Sequence, residues 1–189
     1  EYGYMLTISL HEDDRDYEKK IIHELAGYRI DGFILLCINK GEDIEEALRK
    51  TNIPYVILGY KTFMNSSTVG ADEYKIGCMA TQYMYQKNYN EMVFVVPPLY
   101  DRYQTLSPGH ASRKKGFEET AESLNVKHTV IYGHDNYIEQ VIDYMKTKRE
   151  SKPAFFCSGD IYAVEIINAL SQHGYKVKKD YGIIGCDKI

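Results

Sequence analysis

The chain has 189 residues, with 23 Lys and Arg against 27 Asp and Glu, a formal net charge of −4. That balance excludes a concentrated basic face for neutralising phosphates within these residues, so any nucleic-acid contact is expected from a segment outside them. With 44% hydrophobic and 26% charged residues the chain is not a disordered one, and no apolar run approaches the ~20 residues that cross a bilayer. Glu1-Tyr2-Gly3-Tyr4 has no basic stretch ahead of an apolar one, so no signal peptide is expected either.

Short apolar runs rich in β-formers alternate along the chain with stretches of helical spacing. Residues 4–10 are the first strand candidate, and Tyr17, Ile21, Ile22 and Leu25 then share a helical face. Strands at 33–38 and 55–58 flank a helix marked by Ile44, Ala47 and Leu48, and residues 60–68 read as a polar loop. Asp72 is a natural N-cap for a helix carrying Ile76, Met79, Ala80 and Tyr83. A strand at 92–97 leads through a long irregular stretch into a helix with Phe117, Ala121 and Leu124. A strand at 129–132 precedes Ile138, Val141, Ile142 and Met145, and one at 154–157 precedes Ala163, Ile167 and Leu170. Asp160 is the natural N-cap of that last helix and Gly174 its natural C′ residue, and a final strand covers 182–186. Such alternation predicts an α/β chain of parallel sheets with crossover helices. The polar loop and the irregular stretch divide it into two Rossmann-like lobes, residues 1–89 and 90–189, with the cut near Asn88-Tyr89-Asn90. Strands at both ends, exposed and unpaired, predict that the chain is a piece of a longer protein.

Ligands of open α/β sheets sit beyond the carboxyl ends of the strands, so the residues that follow each apolar run carry the chemistry. These are Asp72, Asp101 with Arg102 and Arg113, the stretch Tyr132 to Tyr137, Asp160 and Asp187. Carboxylates accept from vicinal hydroxyls, a guanidinium donates in a fixed fork and an aromatic ring gives a flat apolar wall. That set suits a sugar, a nucleoside or a similar polar ring. Asp72 and Asp160 have helix caps as a competing duty, and Arg113 could belong to a solvated basic face in Ser112-Arg113-Lys114-Lys115. Asp187, directly after a buried strand, has few structural duties.

Cys37, Cys78, Cys157 and Cys186 form no CxxC pair, and a buried thiol acting as a small hydrophobe accounts for each. No metal site and no cofactor are expected, reduced thiols fit the cytoplasm, and neither a phosphate-binding glycine loop nor a nucleophile with its base is present.

Several phrases together resemble the lac-repressor-like (LacI/GalR) family. Arg29-Ile30-Asp31-Gly32-Phe33-Ile34-Leu35 resembles its R-V-D-G-I-I-L, and Asn52-Ile53-Pro54-Tyr55-Val56 its I-P-V-V. Val69-Gly70-Ala71-Asp72 with Gly77 resembles the family's V-x-x-D stretch and the glycine that follows it, and Arg113 to Phe117 resembles R-x-x-G-F. Pro153-Ala154-Phe155 with Gly159-Asp160 and Ala163 is similar to P-A-x-F followed by N-D-x-x-A. Gly174 with Val177 and Asp180, then Ile184-Gly185-Cys186-Asp187, resembles G-x-x-V-P-x-D followed by I-G-F-D. The resemblance runs in order over essentially the whole chain. It implies an effector-binding domain of the periplasmic-binding-protein type, lacking at one end the helix-turn-helix, first strand and first helix, and at the other the return segment. It places Asp72, Arg113 and Asp187 on effector-contacting positions, Tyr137 on the aromatic that closes over the ligand and Gly159 where a contacting Asn or Asp is common. Gly109, Lys178 and Cys186 stand where the family has a small hydroxyl residue, Pro and an aromatic.

The expected function is the sensing part of a bacterial transcriptional regulator, not an enzyme. A sugar or nucleoside-like effector between the lobes would control operator DNA binding by a homodimer, with no membrane partner. The main alternative is the solute-binding protein of a sugar ABC transporter, and the next an α/β enzyme acting on a sugar or nucleotide.

Overall fold

The computed structural model describes residues 3–11, 14–36, 41–59, 62, 63, 65–100, 106–133, 136–147 and 151–187. These fall into two compact units, Glu1–Ala71 and Asp72–Ile189.

The first unit contains α1 (Arg15–Gly27), β1 (Phe33–Leu36), α2 (Glu42–Thr51), β2 (Tyr55–Leu58) and β3 (Ser67–Val69). The three strands are parallel in the order β1-β2-β3, with Phe33 opposite Tyr55 and Val56 opposite Ser67. Helix α1 starts at Asp14, whose carboxylate accepts from the N–H groups of Asp16 and Tyr17 at 3.0 Å. In α2, Ile44 and Leu48 stand four apart on one face and are fully buried with Ile22, Phe33, Ile57 and Phe63. The alternate strand residues Ile34, Leu36 and Val69 are exposed.

Two expectations fail in this unit. Residues 4–10 belong to no strand, and Tyr4, Met5, Leu6, Ile8 and Leu10 are exposed. Apolar alternation specifies a face to bury, but a strand also needs a neighbouring ladder, and the described sheet gives these residues none. The loop expected over 60–68 instead ends in β3, which pairs with β2 through backbone groups that its polar Ser67 and Thr68 do not advertise. Cys37 and Ile38 lie outside the described residues.

The second unit runs α3 (Glu73–Gln86), β4 (Glu91–Val96), α4 (Pro108–Ser123), β5 (Lys127–Tyr132), α5 (Tyr137–Thr147), β6 (Ala154–Cys157), α6 (Asp160–Gln172) and β7 (Gly182–Ile184). Its parallel sheet has the order β5-β4-β6-β7. All six residues of β4 are buried because both of its faces are covered. Val93 and Val95 point with Phe155 and Cys157 into a core made with Val141, Met145, Ile166 and Leu170 of α5 and α6. Met92, Phe94 and Val96 point the other way with Phe156, against Met84 of α3 and Phe117 of α4. Phe94 stacks on Phe156 at 4.8 Å and lies 5.4 Å from Phe117.

The division between units falls between Ala71 and Asp72, ahead of the cut expected near Asn88–Asn90. The reason is α3, which packs along α4 at backbone distance. A Cβ on Gly77 would stand 2.2 Å from the Arg113 carbonyl oxygen, and one on Gly116 2.1 Å from that of Tyr74. No side chain fits at either position. Replacing Gly116 by Ala is therefore expected to cost about 1–3 kcal/mol by overpacking, read as a lower urea midpoint with the far-UV spectrum of the folded state retained.

Candidate functional site

The chain runs from β4 to β5 on one side of the sheet and then to β6 on the other, so a crevice is expected at the carboxyl ends of β4 and its neighbours. Four segments bring polar groups there: the starts of α3 and α4, and the residues after β6 and β7.

Arg113 is the centre. It lies in the second turn of α4 and is 8% exposed, a burial that a guanidinium tolerates only with partners. Its Nη1 donates to the Ser158 carbonyl oxygen at 2.5 Å and to Ser158 Oγ at 3.2 Å. Its Nε donates to Glu73 Oε2 at 2.8 Å, and its Nη2 donates to the same oxygen. Ser158 is fixed in turn by its N–H, which donates to the Val95 carbonyl oxygen at 2.7 Å. His110, three residues before Arg113 and so on its face of α4, places Nδ1 3.1 Å from Ser158 Oγ. Burial pushes the His110 imidazole below its ordinary pKa and the Arg113 charge adds to this, while Glu73 and Asp187 pull the other way.

Asp187 and Asp160 hold each other. The Asp160 N–H donates to Asp187 Oδ2 and the Asp187 N–H to Asp160 Oδ1, both at 3.2 Å. Asp160 is thus the first residue of α6 rather than its N-cap, which is Gly159 and has no side chain to cap with. Asp187 does that work from the next strand end, so it has a structural duty that its place in the sequence did not suggest. A Cβ on Gly159 would stand 3.1 Å from Asp187 Oδ2, so a larger residue there would crowd the carboxylate. Cys186, expected inside a strand, lies two residues past the end of β7 and is half-buried. Burial raises its thiol pKa, Arg113 opposes this, and Asp187, Glu73 and Asp160 reinforce it.

Of the six residues expected from the sequence, Arg113, Gly159, Asp160 and Asp187 share this cluster. Asp72 caps α3, accepting from the Lys75 N–H at 3.0 Å, and is exposed immediately before Glu73. Tyr137 is placed differently. Its ring is buried in the core against Tyr162, edge-on at 5.3 Å, and its hydroxyl donates to Glu165. Asp101, Arg102, His134 and Asp135 lie outside the described residues.

Glu73, His110 and Ser158 were not singled out from the sequence. Ser158 directly follows a buried strand, the same signal that marked Asp187. His110 follows from Arg113 by helical spacing alone. Glu73 carries no local signal beyond its neighbour Asp72.

The chain is similar to known proteins over nearly its whole length. Residues 81–189 match the family model described as a periplasmic binding protein-like domain. The chain belongs to that family. A relative from Haemophilus influenzae (strain PittEE), "HTH-type transcriptional repressor PurR", is 25% identical over 191 residues, covering 99% of this chain and 56% of the relative. The chain thus spans little more than half the length of that curated relative. A periplasmic binding protein/LacI transcriptional regulator from Alkaliphilus metalliredigens QYMF, solved in complex with D-xylulofuranose, has a TM-score of 0.79 and 25% identity, covering 98% of this chain and 67% of that one. A LacI family regulator from Enterococcus faecium with bound ribose shares the fold, with a TM-score of 0.75 at 21% identity and coverage of 97% and 67%. The resemblance to the lac-repressor-like regulators stands.

Among the described residues no group of three or more His, Cys, Asp and Glu is placed to hold a metal ion. No helix among them is long and apolar enough to cross a membrane.

His110 is expected to titrate below the ordinary value of about 6.5 in an NMR pH series. Arg113→Ala should raise that pKa, because Glu73 and Asp187 are left to favour the imidazolium. A depressed folded-state pKa means that the unfolded chain binds more protons in that range. The stability drawn from neutral His110 is therefore complete above about pH 6.5 and lost as pH falls through the folded-state value.

Proposed function

We propose that this chain is the effector-sensing part of a bacterial transcription regulator, which binds a small polar ligand to control operator DNA. The observation that carries it is the buried guanidinium of Arg113 grouped with the Asp160–Asp187 pair at the carboxyl ends of β4, β6 and β7. In this reading Asp187 accepts from vicinal hydroxyls of the ligand, Arg113 donates to a ring or hydroxyl oxygen, and Asp160 and Gly159 shape the floor. Asp72 reaches the ligand from the start of α3, while Tyr137, buried against Tyr162 with its hydroxyl on Glu165, supports the site from within the core.

Three considerations support the reading. The curated relative carries the name of a helix-turn-helix repressor. A structural neighbour at 25% identity was solved with a pentulose sugar. The cluster offers carboxylate acceptors and a fixed donor, and the Ser158 hydroxyl beside His110 already accepts from Arg113 Nη1, an arrangement that suits binding better than nucleophilic attack. DNA is then contacted by a module outside these residues, in a cytoplasmic homodimer, and ligand and operator are coupled reciprocally by typically ~1–3 kcal/mol.

The test is a sugar panel that includes D-xylulose and D-ribose, read by thermal shift and calorimetry on the intact protein. Asp187→Ala should weaken binding of the sugar that stabilises the wild type by at least about tenfold, for a loss of roughly 1.4 kcal/mol or more. Its far-UV spectrum should be unchanged, with a stability loss near the ~1 kcal/mol of a missing helix cap. Arg113→Ala should abolish the effector response of operator binding. Unchanged affinity in both variants refutes the site.

A further inference from the structure

Resting on the sugar-sensing reading, the geometry of Arg113 also limits which ligands the site accepts. A guanidinium has five N–H donors, and its Nε–Nη2 edge is the fork that matches a carboxylate or phosphate. Here that edge is already taken, since Nε and Nη2 both donate to Glu73 Oε2. The two Nη1 bonds go to the carbonyl and hydroxyl oxygens of Ser158. Among the described residues a single N–H of Nη2 is left for a ligand.

The charge around the fork points the same way. The ionised groups that act on the Cys186 thiol in the cluster are Arg113 against Glu73, Asp160 and Asp187, a formal sum of 1 − 3 = −2. His110 adds no charge at neutral pH, since burial holds its pKa down. An anionic ligand would have to displace Glu73 from its ion pair, leave that carboxylate without its partner in a site where its side chain is only 20% exposed, and face two further carboxylates. A neutral polyhydroxy ligand meets none of these obstacles. Its hydroxyls donate to Asp187 and Glu73, and one ring oxygen accepts the remaining N–H.

We propose that Glu73 is a specificity-determining residue: by occupying the Arg113 fork it restricts the effector to uncharged polyols and sugars and rejects sugar phosphates and sugar acids. Glu73 belongs to α3, which packs on α4 through Gly77 and Gly116, so its carboxylate is presented to the guanidinium by the helix pair itself.

The experiment compares D-ribose, D-ribose 5-phosphate and inorganic phosphate as probes for the intact wild type and for Glu73→Gln and Glu73→Ala, by calorimetry at two salt concentrations. Far-UV spectra and melting temperatures report folding, and the Ala variant stands in if Gln at this position impairs it. The wild type is expected to show no affinity for either phosphate probe. Removal of the Glu73 charge should raise affinity for D-ribose 5-phosphate at least tenfold, with a salt dependence, and adding Arg113→Ala should cancel the gain. A wild type that binds the phosphate ester more tightly than the free sugar overturns the proposal without any variant. Folded Glu73 variants that gain nothing for phosphate overturn it as well. If the variants gain phosphate binding while no neutral sugar binds the wild type, the exclusion of anions holds and the sugar-sensing reading falls.

Discussion

The contact on which the second unit depends is the backbone crossing of α3 and α4. Gly77 lies over the Arg113 carbonyl and Gly116 over that of Tyr74, closer than any side chain permits. Flanking bonds tie the crossing down: Cys78 Sγ donates to the Gly116 carbonyl at 3.6 Å, and the Tyr74 hydroxyl to Glu119 Oε2 at 2.7 Å. The functional consequence is geometric. Glu73 stands one turn before Gly77 and Arg113 one turn before Gly116, so their ion pair is set by how closely the two backbones approach. A hydrogen bond weakens steeply within a few tenths of an ångström and tens of degrees, and an added methyl at the crossing moves the helices by more than that.

A charge buried as deeply as Arg113 is costly unless it is paired, and the sheet supplies the second set of partners. Ser158 stands at the end of β6 with its N–H on the Val95 carbonyl of β4, a strand buried along its whole length. Its carbonyl and hydroxyl are therefore fixed points. The guanidinium is clamped between a rigid strand end and a rigid helix start, which is the kind of support that precise recognition requires. Because the core lies on both faces of β4, the polar cluster at its carboxyl end inherits its rigidity from Val93 and Val95 on one side and Met92, Phe94 and Val96 on the other.

Much of this was legible from residue order alone, and the failures have physical causes. The strand at 154–157 matched the sequence reading because a strand covered on both faces must be apolar throughout its length. Arg113 and Asp187 stand out as residues that follow apolar runs, and the resemblance to the family adds weight to both. Residues 4–10 misled because their pattern is that of a strand while pairing is a property of neighbours. β3 was missed for the converse reason, since Ser67-Thr68-Val69 shows little apolar pattern yet finds a partner in β2. Glu73 was invisible for a third reason. Its role arises from the approach of two helices whose glycines stand 39 residues apart in sequence, at 77 and 116. Spacing rules act within an element and do not reach across one.

The end of β7 shows how a departure from the family pattern is accommodated. The resemblance places a contacting Asn or Asp where this chain has Gly159, and the missing side chain leaves α6 without its own cap. The Asp187 carboxylate moves into the space, close enough that a Cβ on residue 159 would stand 3.1 Å from Oδ2. One carboxylate thus caps α6 through the Asp160 N–H and still has lone pairs for a ligand hydroxyl. A side chain restored at position 159 would press on the atom that caps α6. The polar groups at this strand end therefore form one interlocked set: the glycine makes room, Asp187 fills it, and Asp160 returns a hydrogen bond that holds the carboxylate in place. Ligand recognition at this point is expected to shift from the start of α6 to the end of β7, a change of element without a change in the chemistry offered.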